Sequence, residues 1–286
     1  MSNNVGYRES VSSFDRYDEI LPKPRVDAGP LNDHDILCVR APNPGPLTLT
    51  GTNTWIVGRD PAWVVDPGPP IETHVARVCA AIEDRGGLGG IVLTHDHLDH
   101  AAAVPEVLAR YPAPLAGGRG EVDVRLADGV RVGPFDPVAT AGHSVDHFAL
   151  IAGGACLTGD AVLGEGSVFI APHPGALSRY MRALARLRAR EDFDVLCPGH
   201  GPLVRDAAGK LDEYISHRSE RERRLVDALE RGLRSEVELL DAAWPEVPEQ
   251  LRPLASVTLA AHLDKLAEEG LLPEGVQRPA WEGFEE

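Results

Sequence analysis

The sequence predicts an α/β protein in which a sandwich of strands and helices precedes a small helical domain. Apolar, β-branched runs typical of buried strands alternate with helical segments up to about residue 204. After residue 205 the strand patterns end, charged residues become dense, and helical segments follow one another. With 286 residues, the chain is long enough for one large domain and one small domain.

The composition indicates a globular protein, with 43% hydrophobic and 25% charged residues. No run of eighteen apolar residues occurs, so we expect no membrane span. The N-terminus lacks an apolar signal core, and the four cysteines are far apart among aliphatic residues, so we expect reduced thiols and a cytoplasmic location. The formal net charge of −16 argues against a broad surface for nucleic acid.

We predict three segments, beginning with a polar N-terminal arm over residues 1–30. A catalytic domain over residues 31–204 would follow, with strands at 35–39, 47–57, 62–65, 90–93 and 194–197, short strands between 114 and 160, and helices at 72–84, 101–110 and 176–190. The last domain, residues 205–286, would contain helices at 211–232, 236–243 and 254–269 and a hairpin at 270–276, which is the outline of a winged helix.

Residues 94–100 read Thr-His-Asp-His-Leu-Asp-His and lie where a predicted strand turns into a predicted helix. Four of their side chains can bind a metal: His95, His97, Asp99 and His100. Imidazole nitrogen and carboxylate oxygen together suit zinc, and also iron or manganese. We therefore predict a metal site at this turn.

Four further polar residues end apolar runs in the same way: Asp66, His143, Asp160 and His200. Functional groups in such folds tend to lie where strands end. A glycine immediately precedes three of the four residues, and it permits a tight turn and a close approach of the backbone.

These residues together resemble the metallo-β-lactamase superfamily. The resemblance covers roughly residues 35–204 and includes Asp66, His95-x-His97-x-Asp99-His100, Gly142-His143-Ser144, Gly159-Asp160 and Gly199-His200-Gly201. It implies a four-layer αβ/βα sandwich with two zinc ions at one edge, for which iron or manganese could substitute. The implied ligands are His95, His97 and His143 for one metal, Asp99, His100 and His200 for the other, and Asp160 bridging both.

The resemblance also implies roles for residues around the metals. Asp66 would support a ligand histidine by hydrogen bonding. Asp99 would be the catalytic residue, which orients a metal-bridging hydroxide nucleophile and relays its proton. His147 and His173 could line the substrate pocket.

A second resemblance, to the β-lactamase-like protein 2 branch of this superfamily, rests on residues 51–54, 199–202, 214–218 and 261–270. It implies a metallo-hydrolase with a C-terminal winged-helix-like domain. The substrate is either a thioester or related acyl compound or single-stranded RNA, and a homodimer is compatible with the sequence.

The alternatives differ in sequence features. An endoribonuclease would use the basic run Arg218, Arg221, Arg223 and Arg224, which is otherwise read as a solvated helix face with ion pairs four residues apart. Asp160 argues against a true β-lactamase, which typically lacks the bridging aspartate. A non-catalytic winged-helix regulator that senses metal is disfavoured by the complete ligand set.

Overall fold

The computed structural model describes residues 31–281, and the predicted N-terminal arm lies outside them. The strands are Ile36–Arg40 (β1), Asn53–Val57 (β2), Ala62–Val65 (β3), Leu88–Val92 (β4), Leu115–Gly117 (β5), Val124–Arg125 (β6), Asp136–Ala139 (β7), Phe148–Ala152 (β8), Ala155–Gly159 (β9) and Val195–Pro198 (β10). The α-helices are Glu72–Asp84 (α1), Leu98–Ala101 (α2), Val104–Leu108 (α3), Ala176–Arg188 (α4), Ala207–Glu230 (α5), Glu236–Ala243 (α6) and Arg252–Glu268 (α7).

The strands form two sheets. The first has the order β1-β2-β3-β4-β5-β6, and the second has the order β10-β9-β8-β7. In the first sheet β1, β2 and β3 are antiparallel neighbours, whereas β3 to β6 run parallel. The ends of β3 and β4 therefore lie at the same edge of the sheet.

Alternating side chains divide the core of the sandwich into layers. On β2, Trp55 and Val57 face the second sheet, whereas Ile56 faces α1. This alternation follows from the period of two residues in a strand. The second sheet in turn packs against α4 and α5 through residues such as Leu184 and Leu211. The order is helices, sheet, sheet, helices, as the predicted four-layer sandwich requires.

The helices after the sandwich have an apolar cluster of their own. It joins the second half of α5 to α6 and α7 and includes Leu225, Leu239 and Leu263. The bounds of α6 agree with the predicted helix at 236–243, and those of α1 agree with the one at 72–84. Within residues 31–281, no helix combines the length and apolar character needed to cross a bilayer.

The single helix predicted at 101–110 is instead two short helices, α2 and α3. Two further predicted elements are wrong. Residues 47–52 form a loop that leads into β2 and are not part of a strand. Side chains there bond to the backbone, as Thr48 Oγ1 does when it donates to Asn43 O at 2.6 Å. Residues 270–276 contain turns and no hairpin. Pro273 has no N–H to donate to a strand ladder, and Leu272 and Val276 instead pack against the helical cluster.

Candidate metal centre

The motif at residues 94–100 lies at the end of β4, and α2 begins inside it at Leu98. Asp66 follows β3, the parallel neighbour of β4, and its backbone N–H donates to Val92 O at 3.1 Å. Parallel strands present their carboxyl ends at one edge, so this register brings Asp66 against the motif.

Three imidazole rings form a first cluster. His97 Nδ1 is 3.1 Å from His95 Nε2 and 3.2 Å from His143 Nε2. Burial lowers the pKa of His143 to about 4 and lowers that of His95 as well, so both rings are neutral at pH 7. Three nitrogens around a tetrahedral zinc ion would be about 3.3 Å apart, and these spacings therefore fit a metal.

Asp99, His100 and His200 form a second cluster. His200 Nε2 is 3.2 Å from His100 Nε2 and 3.2 Å from Asp99 Oδ2. Burial would raise the pKa of Asp99, but the hydrogen bond from His200 and the charges of His100 and His200 lower it to about 2. The Asp99 carboxylate is thus ionised, and about a third of its side chain is exposed.

Asp160 stands between the two clusters. Its Oδ2 is 3.3 Å from His200 Nε2 and 3.7 Å from His143 Nε2, and its Oδ1 is 3.6 Å from His100 Nε2. Burial would raise the pKa of Asp160, but the surrounding histidines lower it well below its usual range. The buried Oδ1 has no hydrogen-bond partner, as expected of an oxygen reserved for a cation.

Hydrogen bonds through Asp66 and Thr94 orient two rings of the centre. Asp66 accepts the Thr94 backbone N–H at 2.8 Å, the Thr94 hydroxyl at 2.7 Å and His100 Nδ1–H at 2.9 Å. Because the Thr94 hydroxyl donates to Asp66, it accepts from His95 Nδ1–H at 3.0 Å. The Nε2 atoms of His95 and His100 therefore face the clusters, where each can bind a metal once it carries no proton. The Asp66 oxygens are occupied, which favours a supporting role for this residue over direct ligation.

The structure places His147 next to the clusters, where it contacts Asp160. The Asp160 backbone N–H donates to His147 Nε2 at 3.0 Å, and His147 Nδ1–H donates to Thr140 Oγ1 at 2.7 Å. Both ring nitrogens are thus engaged, and this geometry favours a role in holding Asp160. His173 is exposed in the loop before α4. A pocket role for these two histidines stays a prediction.

Two residues before and at the start of β2 contribute to the site without having been assigned a role from the sequence. Thr52 Oγ1 donates to Asp99 Oδ2 at 3.2 Å. Asn53 Nδ2 donates to Pro198 O at 3.0 Å and to Gly201 O at 2.9 Å, and so holds the turn that carries His200. The only signal was their place in the segment 51–54, which had no chemistry attached to it.

Gly199, just before His200, is required by the space around it. A Cβ atom there would lie 2.4 Å from Asp160 Oδ1 and 2.7 Å from His100 Cε1. The backbone of this turn can approach the two side chains only because glycine has none.

Two segments of the chain match known families. Residues 47–138 match the metallo-beta-lactamase superfamily, and residues 235–276 match the beta-lactamase associated winged helix domain. The lactamase-like protein nscB of Neosartorya fischeri is 33% identical over 240 residues, which cover 79% of this chain and 70% of that protein. The chain therefore belongs to the metallo-β-lactamase superfamily, whose members are generally hydrolases.

Relatives over most of the length carry a more particular name. The beta-lactamase-like protein 2 homolog of Caenorhabditis elegans is 29% identical over 262 residues, which cover 85% of this chain and 86% of the relative. The homologue of the same name from Drosophila melanogaster is 28% identical over 260 residues, covering 80% and 87%. The predicted resemblance to this branch is thereby confirmed.

Solved structures show the same fold. A beta-lactamase domain protein from Burkholderia ambifaria has a TM-score of 0.72 at 20% identity, covering 92% of this chain and 98% of its own. The metallo-beta-lactamase family protein TTHA1429 from Thermus thermophilus has a TM-score of 0.63 at 21% identity, covering 82% and 94%. The predicted fold class, a metallo-β-lactamase sandwich with a winged-helix domain, is confirmed.

Proposed function

We propose that the protein is a dinuclear zinc hydrolase that cleaves a small thioester or related acyl compound. The observation that supports this most strongly is the meeting of two donor clusters at Asp160, whose oxygens lie 3.3 to 3.7 Å from histidines of both clusters. The proposed ligands are His95, His97 and His143 for one metal and Asp99, His100 and His200 for the other. Asp160 would be shared, on the strength of its distances to both clusters. Zinc suits four or five donors of this mixed nitrogen and oxygen type.

Divalent ions in this donor set would lower the pKa of a water molecule and so supply hydroxide to attack an acyl carbon. Asp99 is placed to orient that water, because it is the ligand carboxylate with appreciable exposure. Thr52 donates to its Oδ2 and fixes its position. Held in this way, the Asp99 carboxylate can accept a hydrogen bond from the water molecule and orient it for attack.

The basic run of α5 argues against RNA. Arg223 forms ion pairs with Glu220 at 2.8 Å and Asp227 at 2.7 Å, and Arg224 pairs with Glu220 at 2.7 Å. Arg218 and Arg221 are buried. Two arginines of the run are therefore paired at the surface and two are buried, so the run offers no continuous stripe of exposed, unpaired cations for phosphates.

Apolar side chains next to the proposed ligands favour an acyl group. Leu98, between His97 and Asp99, is 76% exposed, and Val145, two residues after His143, is 54% exposed. Exposed apolar side chains at a polar centre are typical of a site for a partly apolar ligand.

A side-by-side assay tests the proposal. Zinc-loaded protein is incubated with a panel of acyl-coenzyme A thioesters and with a single-stranded RNA, and metal content is measured in parallel. We expect about two metals per chain and thioester cleavage that falls by about 100-fold or more in Asp99→Ala. Asp212→Ala, an exposed carboxylate on α5, serves as the control and should match the unmodified protein.

Three outcomes would contradict the proposal in different ways. RNA cleavage that depends on Asp99, without thioester cleavage, would show that the substrate class is wrong and would favour the endoribonuclease. Two bound metals without turnover of any ester, thioester or phosphodiester would favour the metal-sensing regulator. Iron or manganese in place of zinc would correct the metal alone. The cytoplasmic location, the homodimer and the domain boundaries stay predictions.

A further inference from the structure

The loop from Asp160 to Ile170 has no helix or strand, yet both of its ends contact the metal centre. Asp160 begins it. Near its other end, Phe169 O accepts His143 Nδ1–H at 3.3 Å, and the two rings meet edge to face with centroids 5.5 Å apart. Because Nδ1 bonds to this carbonyl, the Nε2 atom of His143 faces His97.

Helices α4 and α5 anchor this loop at three points. Tyr180 Oη donates to Ala161 O at 2.6 Å, and Tyr214 Oη accepts the Leu163 backbone N–H at 3.0 Å. Arg218 Nη2 donates to Ser167 Oγ at 3.1 Å and also to Val168 O, the carbonyl immediately before Phe169. The Arg218 anchor is thus one residue from the carbonyl that orients His143.

The surroundings of Arg218 are unusual for a residue that only stabilises a fold. Its side chain is 3% exposed, its guanidinium lies 5.7 Å from the centre of the Tyr180 ring, and its Nε has no hydrogen-bond partner. Within residues 31–281 it forms no ion pair with a carboxylate. A buried cation without a carboxylate is a poor source of stability, which favours a role in fixing the position of the loop.

We propose that Arg218 is a positioning residue of the metal centre: through Ser167 and Val168 it holds the Phe169 carbonyl against His143. Tyr214 assists by holding Leu163, which lies at the end of the loop closer to Asp160. This inference rests on the proposed function, because it concerns the metals that the proposed hydrolase binds. It also assigns a role in the metal centre to Tyr214 and Arg218, which lie in the segment 214–218 that carried the second resemblance.

Arg221, about one turn further along α5, offers a matched control. It is 5% exposed, lies 5.5 Å from the Trp244 ring centre, and donates to the backbone carbonyl of Ala243. It therefore resembles Arg218 in burial, aromatic contact and carbonyl contact. Its partners are His217 on α5, Ala243 at the end of α6 and Glu246 after it, and none lies in the loop from 160 to 170. Unlike Arg218, it forms an ion pair, with Glu246.

The experiment compares full-length Arg218→Met, Arg221→Met and Tyr214→Phe with the unmodified protein. Zinc affinity is measured by competition with a chromophoric chelator, cobalt-substituted protein is examined by absorption spectroscopy, and melting temperature reports stability. We expect Arg218→Met to lower the affinity for one of the two zinc ions by about tenfold and to change the absorption spectrum of the cobalt-substituted protein. Tyr214→Phe should shift affinity less and in the same direction. Arg221→Met should lower the melting temperature and leave both metal measurements unchanged.

Equal zinc affinities and equal cobalt spectra in Arg218→Met and Arg221→Met would overturn the inference and leave Arg218 a structural residue. If Arg218→Met does not fold, Tyr214→Phe and Ser167→Ala carry the comparison, and unchanged zinc affinity in both would overturn it equally. Unmodified protein that takes up no zinc, iron or manganese would overturn the proposed function itself, so the two failures are distinguishable.

Discussion

The carboxylate of Asp66 bonds to His100 directly and to His95 through Thr94, and with these two histidines it forms a third group of possible metal donors. Its backbone is left-handed, with φ of 52°, a region that aspartate tolerates better than most residues. Asp66 comes directly after the end of β3, and its conformation turns the carboxylate towards Thr94 and His100. Backbone strain of this kind commonly occurs at functional sites.

Asp66→Asn should lower the metal affinity by about 10- to 100-fold. The N–H₂ end of the asparagine side chain would face a hydrogen-bond donor, so one of the present hydrogen bonds would be lost. Competition with a chelator measures the zinc affinity of the variant and of the unmodified protein. Asp35→Asn is the control, since Asp35 has φ of 50° and accepts from Arg85 at 3.1 Å away from the metal centre. Unchanged zinc affinity in Asp66→Asn would contradict the supporting role, whereas complete loss of one metal would indicate that Asp66 is itself a ligand.

Among the helices and strands, α6 has a start that is determined by residues close to it in the sequence. Ser235 precedes it as a capping residue: its hydroxyl accepts Glu238 N–H, and Glu238 Oε2 accepts Ser235 N–H at 3.1 Å. Such a capping box satisfies backbone donors that the first turn leaves unpaired. The bounds of α6 could be predicted from the sequence for this reason.

Ser235→Ala should lower the free energy of unfolding by about 1 kcal/mol, the usual cost of losing a capping side chain. Urea unfolding measures the change, and metal content should stay as in the unmodified protein. Ser219→Ala, at an exposed position inside α5, is the control and should cost nothing, because alanine is the better helix former there. Equal stability of the two variants would argue against the cap.

Elements that depend on distant partners were predicted less well. The approach to β2 at residues 47–52 bends because of its own polar side chains and then pairs with the turn that carries His200, through Asn53 N–H and Gly199 O at 2.7 Å. The segment at 270–276 packs on helices instead of pairing with itself. Apolar runs alone do not distinguish these outcomes from strands.

At the scale of the whole molecule, folding concentrates histidines and carboxylates from four stretches of chain in one buried place. Burial lowers the pKa of His200, but Asp160 and Asp99 outweigh it and raise the pKa to about 10. In metal-free protein this ring therefore holds a proton at pH 7, and a metal must displace that proton to bind.

The pKa of His200 is higher in the folded than in the unfolded metal-free protein. Its contribution to stability is therefore full below about pH 6.5 and declines as pH rises towards 10. Zinc needs the deprotonated ring, so the difference in melting temperature between zinc-loaded and chelated protein should widen from pH 6 to pH 8. Calorimetry with and without a chelator measures it. A melting-temperature difference that stays constant or narrows over this range would contradict the metal centre. His34→Gln is the control: His34 is far from the clusters in sequence, and this variant should behave as the unmodified protein.

The sequence by itself determined the donor types and the strand ends that carry them. These properties follow from local patterns: a period of two in strands, polar residues after apolar runs, and glycine before His143, Asp160 and His200. The order of the layers, the superfamily and the winged-helix domain were implied by the resemblance to a known family, and the comparisons confirm the fold and both families.

Only the tertiary structure decided which residues hold the donors in place. Thr52 contacts Asp99 across 47 residues of chain, and Arg218 reaches Val168 across 50. His147 accepts the backbone N–H of Asp160, a contact that its position four residues after His143 did not predict, and its pocket role stays a prediction. Such contacts leave no periodic pattern in the sequence, because they are set by the packing of the two sheets and of α5 against them.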